Sequence, residues 1–199
     1  MKKKVLVTGG FGFVGSHTTV KLLEKNHEVI ILDNLSNSDY EVNNRIKCLV
    51  NKEFQFIKGD VRDRDLLEKI FKQNPIDIVI HFAGLKAAGE SEENPLNYYD
   101  NNVSGSLTLF KEMQAANIKS IIFSSSASIY GNSKFIKCSE DSPLEPLSVY
   151  GKTKLIIEEI LKKLHASDSE WKVINLRYFN PIGAHPTGLI GEDPKEIPT

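Results

Sequence analysis

The sequence predicts a doubly wound α/β fold built on a mostly parallel sheet. Three observations carry that expectation. Six short runs of apolar and β-branched residues alternate with helical stretches, the order expected of a parallel sheet with helices on both faces. Glycines stand at positions 9, 12 and 15, directly after the first run. An acid, Asp33, closes the second run.

Each element follows from its residues. Lys4 to Thr8 is β-branched and apolar and reads as a fully buried strand. Residues 16–25 read as a helix, and residues 28–32 as a second buried strand. The glycines then occupy the first turn of a β-α-β unit. Glycine allows a tight turn and lets backbone N–H groups approach a pyrophosphate at a helix N-terminus. Asp33, eighteen residues beyond Gly15, can accept hydrogen bonds from an adenosine ribose and repels a 2′-phosphate, which favours NAD over NADP. Residues 34–51 are polar and read as loop with some helix. Residues 53–58 form a third expected strand, ending at Gly59-Asp60-Val61. Asp60 is placed either to meet an adenine edge or to cap the helix expected over 63–73; position alone does not separate the two.

Residues 77–82 predict a fourth strand. It runs into Ala83-Gly84-Leu85-Lys86-Ala87-Ala88-Gly89, small residues that let a ligand lie against backbone. His81 reads as a satisfied core histidine. A long helix is expected over 95–116, with Asn101 favoured to face the cofactor. Residues 120–123 form a fifth strand, followed by Ser124-Ser125-Ser126, which read as substrate-binding hydroxyls or as a serine-rich turn. Residues 132–147 are a polar loop. A helix then begins near Tyr150 and extends to about His165, and Lys172 to Tyr178 is the sixth strand. The segment Ser148-Val149-Tyr150-Gly151-Lys152-Thr153-Lys154 places Tyr150 and Lys154 on one helix face. A phenol near pKa 10 must fall by roughly 3 units to act as a base at neutral pH, and a neighbouring cation favours the phenolate.

Composition narrows the function classes. At 199 residues the chain can bury a full core as one domain or a little more. A net charge of −1 gives no bulk attraction to nucleic acid or a membrane surface. The basic start is followed by only Val5, Leu6 and Val7 before Thr8-Gly9-Gly10, too short for a signal peptide, and no run is long enough to span a bilayer. Cys48 and Cys138 lack metal-ligand spacing and read as free thiols in a reducing, cytoplasmic setting. No metal site is expected.

Taken together, Thr8-Gly9-Gly10-x-Gly12-Phe13-x-Gly15, the serines after the fifth run and Tyr150-x-x-x-Lys154 resemble the extended short-chain dehydrogenase/reductase family. The blocks His81-Phe82-Ala83-Gly84-Leu85-Lys86, Gly89-Glu90-Ser91, Tyr98-Tyr99-Asp100-Asn101-Asn102, Arg177-Tyr178-Phe179-Asn180-Pro181, Gly183-Ala184-His185-Pro186 and Gly191-Glu192-Asp193-Pro194 narrow the resemblance to its UDP-hexose 4-epimerase branch. The resemblance implies a Rossmann-like NAD-binding domain over residues 1–180 and the start of a truncated substrate-binding region over 181–199, because family members continue into a C-terminal lobe. It implies Tyr150 as catalytic base, Lys154 as its partner at the nicotinamide ribose, and Ser126 as the hydroxyl between Tyr150 and the sugar. Gly9, Gly12, Phe13, Val14, Gly15, Asp33, Asn34, Asn37, Ser38, Asp60, Val61, Phe82, Ala83, Gly84, Lys86, Asn101 and Phe179 match positions around NAD. Lys86 and Asn180, with Ser126 and Tyr150, match positions around a UDP-sugar. A homodimer is the family's habit. Sugar-nucleotide dehydratases of the same fold carry an acidic pair after the strand-5 hydroxyl, where this chain has Ala127 and Ser128. Val149 stands where proline is usual. The expected reaction is reversible C4 epimerisation through a 4-keto sugar; the alternative is a catalytically inactive NAD-binding module of the same family.

Overall fold

The computed structural model describes residues 1–132 and 137–193. Residues 133–136 of the expected polar loop, and Pro194 to Thr199, lie outside the described residues. Six strands, β1 (Lys4–Thr8), β2 (Glu28–Asp33), β3 (Gln55–Lys58), β4 (Ile78–His81), β5 (Ser120–Ser126) and β6 (Lys172–Tyr178), form one sheet. The helices are α1 (Phe13–Glu24), α2 (Glu41–Val50), α3 (Arg64–Gln73), α4 (Ala88–Glu93), α5 (Pro95–Tyr98), α6 (Gly105–Ala115) and α7 (Val149–Ser167).

Every strand pairing is parallel, in the order β3-β2-β1-β4-β5-β6. The chain therefore winds outward from β1 in one direction and from β4 in the other. Between those two strands the order reverses, and there a crevice opens beyond the carboxyl ends. Alternate residues of a strand face opposite sides. Val5 and Val7 accordingly pack with Phe11, Val20, Ile31 and Ile46 on one face. Leu6 packs with Leu67, Leu109, Phe123, Ile157 and Trp171 on the other.

Four elements differ from the sequence expectation. Helix α1 begins at Phe13, directly after Gly12, three residues earlier than expected. The serine run is strand, because Ser124, Ser125 and Ser126 pair with Leu176, Arg177 and Tyr178 of β6. The expected long helix is broken: α5 passes through a π-helical turn, Tyr99–Ser104, into α6. Such turns inside helices recur at functional sites. The short helix α4, in the small-residue stretch after β4, was not expected at all.

His81 is the core histidine the sequence implies. It is 1% exposed, with Nδ1 at 2.7 Å from Thr8 Oγ1 and Nε2 at 2.9 Å from Ser106 Oγ. Burial, helped by the nearby Lys154 charge, lowers its pKa to about 3. Between about pH 6.5 and 3 the unfolded chain binds a proton that the folded chain does not. The stability contribution is therefore complete above pH 6.5 and lost on acidification. Lowering the pH from 7 to 5 should cost about 2 kcal/mol through this residue alone. His81→Gln should flatten that part of the slope in urea unfolding curves.

Candidate active site

The glycine loop is shaped by close backbone approach. Gly9 has φ +67°, and a Cβ there would lie 2.6 Å from Ala83 N. A Cβ on Gly15 would sit 2.1 Å from Gly9 O, so helix and loop pack too closely for any side chain. Gly12 is different: its φ of −67° suits any residue, and a Cβ would meet only Gly9 O, at 3.4 Å. No side chain caps α1 at Gly12, and the first turn carries no acid. The amides of Phe13, Val14 and Gly15 have no partner within the helix. They form, with the positive end of the helix dipole, a cradle for an anion. A dinucleotide pyrophosphate fits these donors.

Asp33 stands beside the loop, 8% exposed. Its Oδ2 accepts from Phe11 N (3.0 Å), and its Oδ1 from Leu35 N (2.9 Å) and Ser38 Oγ (3.0 Å). A carboxylate has about four acceptor positions, so Asp33 orders both loops and keeps capacity for a ribose hydroxyl. Asn37 is exposed nearby in sequence. Asp60 does not cap α3; Asp63 does, accepting from Leu66 N. Instead, Asp60 accepts from Asn34 Nδ2 and from the backbone and guanidinium of Arg62, each at 2.9 Å. Those bonds, the guanidinium foremost, hold its pKa at about 2. Val61 is buried in the core behind it.

At the end of β4, Phe82 N and Ala83 N both donate to Thr8 O. The following turn is fastened by Asn102, 2% exposed, which accepts from Leu85 N (2.8 Å) and donates to Leu85 O (3.0 Å) and Thr153 Oγ1 (3.1 Å). Asn101 donates to Asn102 Oδ1. A Cβ on Gly84 would lie 3.5 Å from Lys154 Nζ, so this turn lies against α7. Lys86 is ion-paired with Glu192.

Ser126, Tyr150 and Lys154 converge at the carboxyl edge. Lys154 is 4% exposed and donates to Ser124 O at 2.9 Å. Its Nζ lies 4.9 Å from the Phe123 ring centre and 5.8 Å from that of Tyr150. Burial lowers its pKa to about 8. Tyr150 is half-buried, and burial pushes its phenol up, with the Ser126 hydroxyl pulling the other way. The direction is opposite to the lowering that the sequence reading asked of Lys154, because loss of water around the phenol dominates. Ser126 Oγ meets Ser128 Oγ (2.6 Å) and accepts from Ser128 N (3.1 Å). Phe179 and Asn180 are exposed beyond β6, and Phe179 stacks near Tyr130 at 6.4 Å between ring centres.

Residues 5–195 match the family model described as the NAD dependent epimerase/dehydratase family. The chain belongs to that family. It is similar to the UDP-glucose 4-epimerase of Neisseria meningitidis serogroup A, 54% identical over 197 residues, which cover 98% of this chain and 58% of that protein. The UDP-glucose 4-epimerase of Bacillus subtilis is 51% identical over 194 residues, covering 98% of this chain and 57% of that one. The crystal structure of UDP-glucose 4-epimerase from Bifidobacterium longum in complex with NAD+ and UDP superposes with a TM-score of 0.95 at 49% identity, over 98% of this chain and 58% of that chain. The Stenotrophomonas maltophila enzyme with bound NAD and formylated UDP-arabinopyranose gives 0.96 at 43% identity, over 99% of this chain and 59% of that chain. The chain thus spans 57–58% of the length of these curated relatives.

In this member of the epimerase/dehydratase family, a buried ionic network lies behind the serines. Ser125 donates to Glu158 Oε1. Arg177 donates to the same carboxylate through Nε and Nη2, the latter at 2.8 Å, and to Tyr130 OH at 2.9 Å. It holds β5, β6 and α7 in register beneath Ser126. The sequence offered only one sign of it, a charged residue, Arg177, inside the sixth expected strand. Asn102 was also missed, its neighbour Asn101 having been preferred. Among the described residues no group of His, Cys, Asp and Glu could hold a metal ion, and no helix is long and apolar enough to cross a membrane.

Proposed function

We propose that the chain carries the cofactor and proton-transfer machinery of an NAD-dependent UDP-glucose 4-epimerase, which interconverts UDP-glucose and UDP-galactose. The observation that carries this reading is the convergence of Ser126, Tyr150 and Lys154 at the carboxyl edge of the sheet whose other limb carries the N-terminus of α1. Its agreement with relatives more than half identical supports it. Residues 1–180 are the NAD-binding lobe in this reading, and residues 181–199 begin the substrate-binding region.

When bound, NAD would accept hydride from the sugar C4 and return it. The Phe13, Val14 and Gly15 amides would hold its pyrophosphate, Asp33 its adenosine ribose and Lys154 its nicotinamide ribose. Tyr150 takes the proton from the sugar 4-hydroxyl as the C4–H bond breaks, and returns it to the 4-oxygen after the flat 4-keto sugar has turned over. Ser126 hydrogen-bonds the same oxygen and fixes its distance from the phenol. Lys86 and Asn180 are proposed contacts to the UDP-sugar. Ala127 and Ser128 supply no acid or base for water elimination, which supports epimerisation over dehydration. A homodimer is proposed on the family resemblance and is tested by sedimentation. A cytoplasmic setting is supported by the two free, exposed thiols.

The experiment is conversion of UDP-galactose to UDP-glucose by the purified protein with NAD+ supplied. Conversion without net NADH in bulk solution supports the proposal. NAD+ binding without conversion overturns it in favour of a cofactor-binding module. The pyrophosphate cradle has its own test. Gly12→Asp adds a good helix cap at a position that accepts a side chain, so the melting temperature should hold or rise. The same carboxylate faces the pyrophosphate, and NAD+ affinity should fall roughly a hundredfold.

A further inference from the structure

Helix α7 begins at the base, and its first turn is held from outside. The amide donors of a helix's first turn have no intrahelical partner and need capping. Gly151 N donates to Ser148 Oγ at 3.0 Å, the ordinary local cap. The other two are met from α4, far away in sequence. Tyr150 N donates to Ser91 Oγ at 3.1 Å, and Val149 N to Glu92 Oε1 at 2.7 Å. Ser91 is fully buried. Its own proton goes to Ala88 O, so its lone pair is free for the Tyr150 amide.

Helix α4 is itself fastened. Tyr98, fully buried, donates its hydroxyl to Glu90 Oε2 at 2.8 Å. The helix follows directly on the 82–87 turn, which Asn102 ties to α7. We infer that Ser91 and Glu92 are positioning residues for Tyr150: they clamp the first turn of α7 and so set the distance of the phenol from Ser126 and the sugar 4-oxygen. The inference deepens the proposed epimerase reading and rests on it for its kinetic arm. A lateral error of about 1 Å at a reacting group can cost roughly a hundredfold in rate, and the backbone of the base is where such an error arises.

Three variants test it in the intact protein: Ser91→Ala, Glu92→Ala and Glu92→Gln. Glu92 is exposed, so its variants do not endanger the fold. The first readout is amide hydrogen exchange, which needs no activity. The Tyr150 amide in Ser91→Ala and the Val149 amide in Glu92→Ala should exchange roughly tenfold faster, with the amides of Ile157 and Leu161 unchanged. Glu92→Gln keeps an oxygen acceptor and should exchange like the parent. The second readout is kinetic. The alanine variants should lose roughly tenfold or more in kcat, with NAD+ affinity unchanged and Glu92→Gln near the parent rate. Unchanged exchange at Tyr150 in Ser91→Ala, or an undiminished kcat in both alanine variants of an active protein, would overturn the inference. An inactive parent with the predicted exchange pattern overturns the epimerase reading instead and leaves the clamp standing.

Discussion

Tyr150→Phe should abolish the proposed interconversion of UDP-galactose and UDP-glucose while leaving the fold and NAD+ binding intact. The phenol is the acidic group that meets both Ser126 and the neighbourhood of Lys154. Without its oxygen nothing at that position accepts the 4-hydroxyl proton. Removing a positioned general base costs about 10²–10⁴-fold, and the loss should appear in kcat. Phenylalanine has the same shape without the hydroxyl. Burial already disfavours the ionised phenol, so stability should change by no more than about 1 kcal/mol. The α1 amides and Asp33 lie on the other limb of the crevice, so NAD+ affinity should be retained. A coupled assay for UDP-glucose, beside a thermal melt, reads both. Retained conversion in Tyr150→Phe would move the base elsewhere.

The second large effect is on stability. Glu158→Ala should destabilise the protein by about 3–5 kcal/mol, because it strips a buried carboxylate from its cation. The Glu158 side chain is 7% exposed and that of Arg177 is 20% exposed. Ser125 would also lose its acceptor. Arg177 retains Tyr130 OH and Glu140 O, which keeps the loss near the lower end of that range. Glu158→Gln preserves an oxygen for Ser125 but removes the charge, and should fall between alanine and the parent. Urea unfolding midpoints at neutral pH check the order. An alanine variant within about 0.5 kcal/mol of the parent, the range of ordinary surface substitutions, would mean that the network is not a structural clamp.

How much of this was legible in the sequence depended on how local its cause was. Strands β1 and β6 were readable to the residue, β1 from a continuous β-branched and apolar run bounded by the glycine turn. The parallel, doubly wound character of the sheet followed from alternation of strand and helix. The start of α1 was missed by three residues, because the helix begins after Gly12 with no capping side chain to mark it. The serines were read as ending β5, since serine favours turns. The tertiary pairing with β6 overrides that preference. The π-helical turn around Asn101 and Asn102 has no periodic signature: asparagine is a mediocre helix former, and the sequence reading turned Asn101 toward the cofactor without breaking the helix.

The site divided in the same way. Tyr150 and Lys154 shared a helix face by spacing alone, and the glycines stood where a strand met a helix. Asp60 was ambiguous because its partner, Arg62, engages it through a local fold-back that strand position does not reveal. Ser91, Glu92 and Glu158 act across the fold, on amides and side chains distant in sequence. Nothing in their own neighbourhood announces that role. The phenol's upward shift was likewise invisible, because burial is a property of the assembled site.

The central claim is that the carboxyl edge around α1 holds a dinucleotide, on which every proposed step depends. Calorimetric titration of NAD+ into the folded protein, with NADP+ beside it, tests this most directly. The account predicts saturable binding of one NAD+ per chain and NADP+ weaker by roughly tenfold or more, because the Asp33 carboxylate would repel a 2′-phosphate on the adenosine ribose it is proposed to hold. A folded protein that takes up no NAD+ at millimolar concentration, or that prefers NADP+, would contradict it.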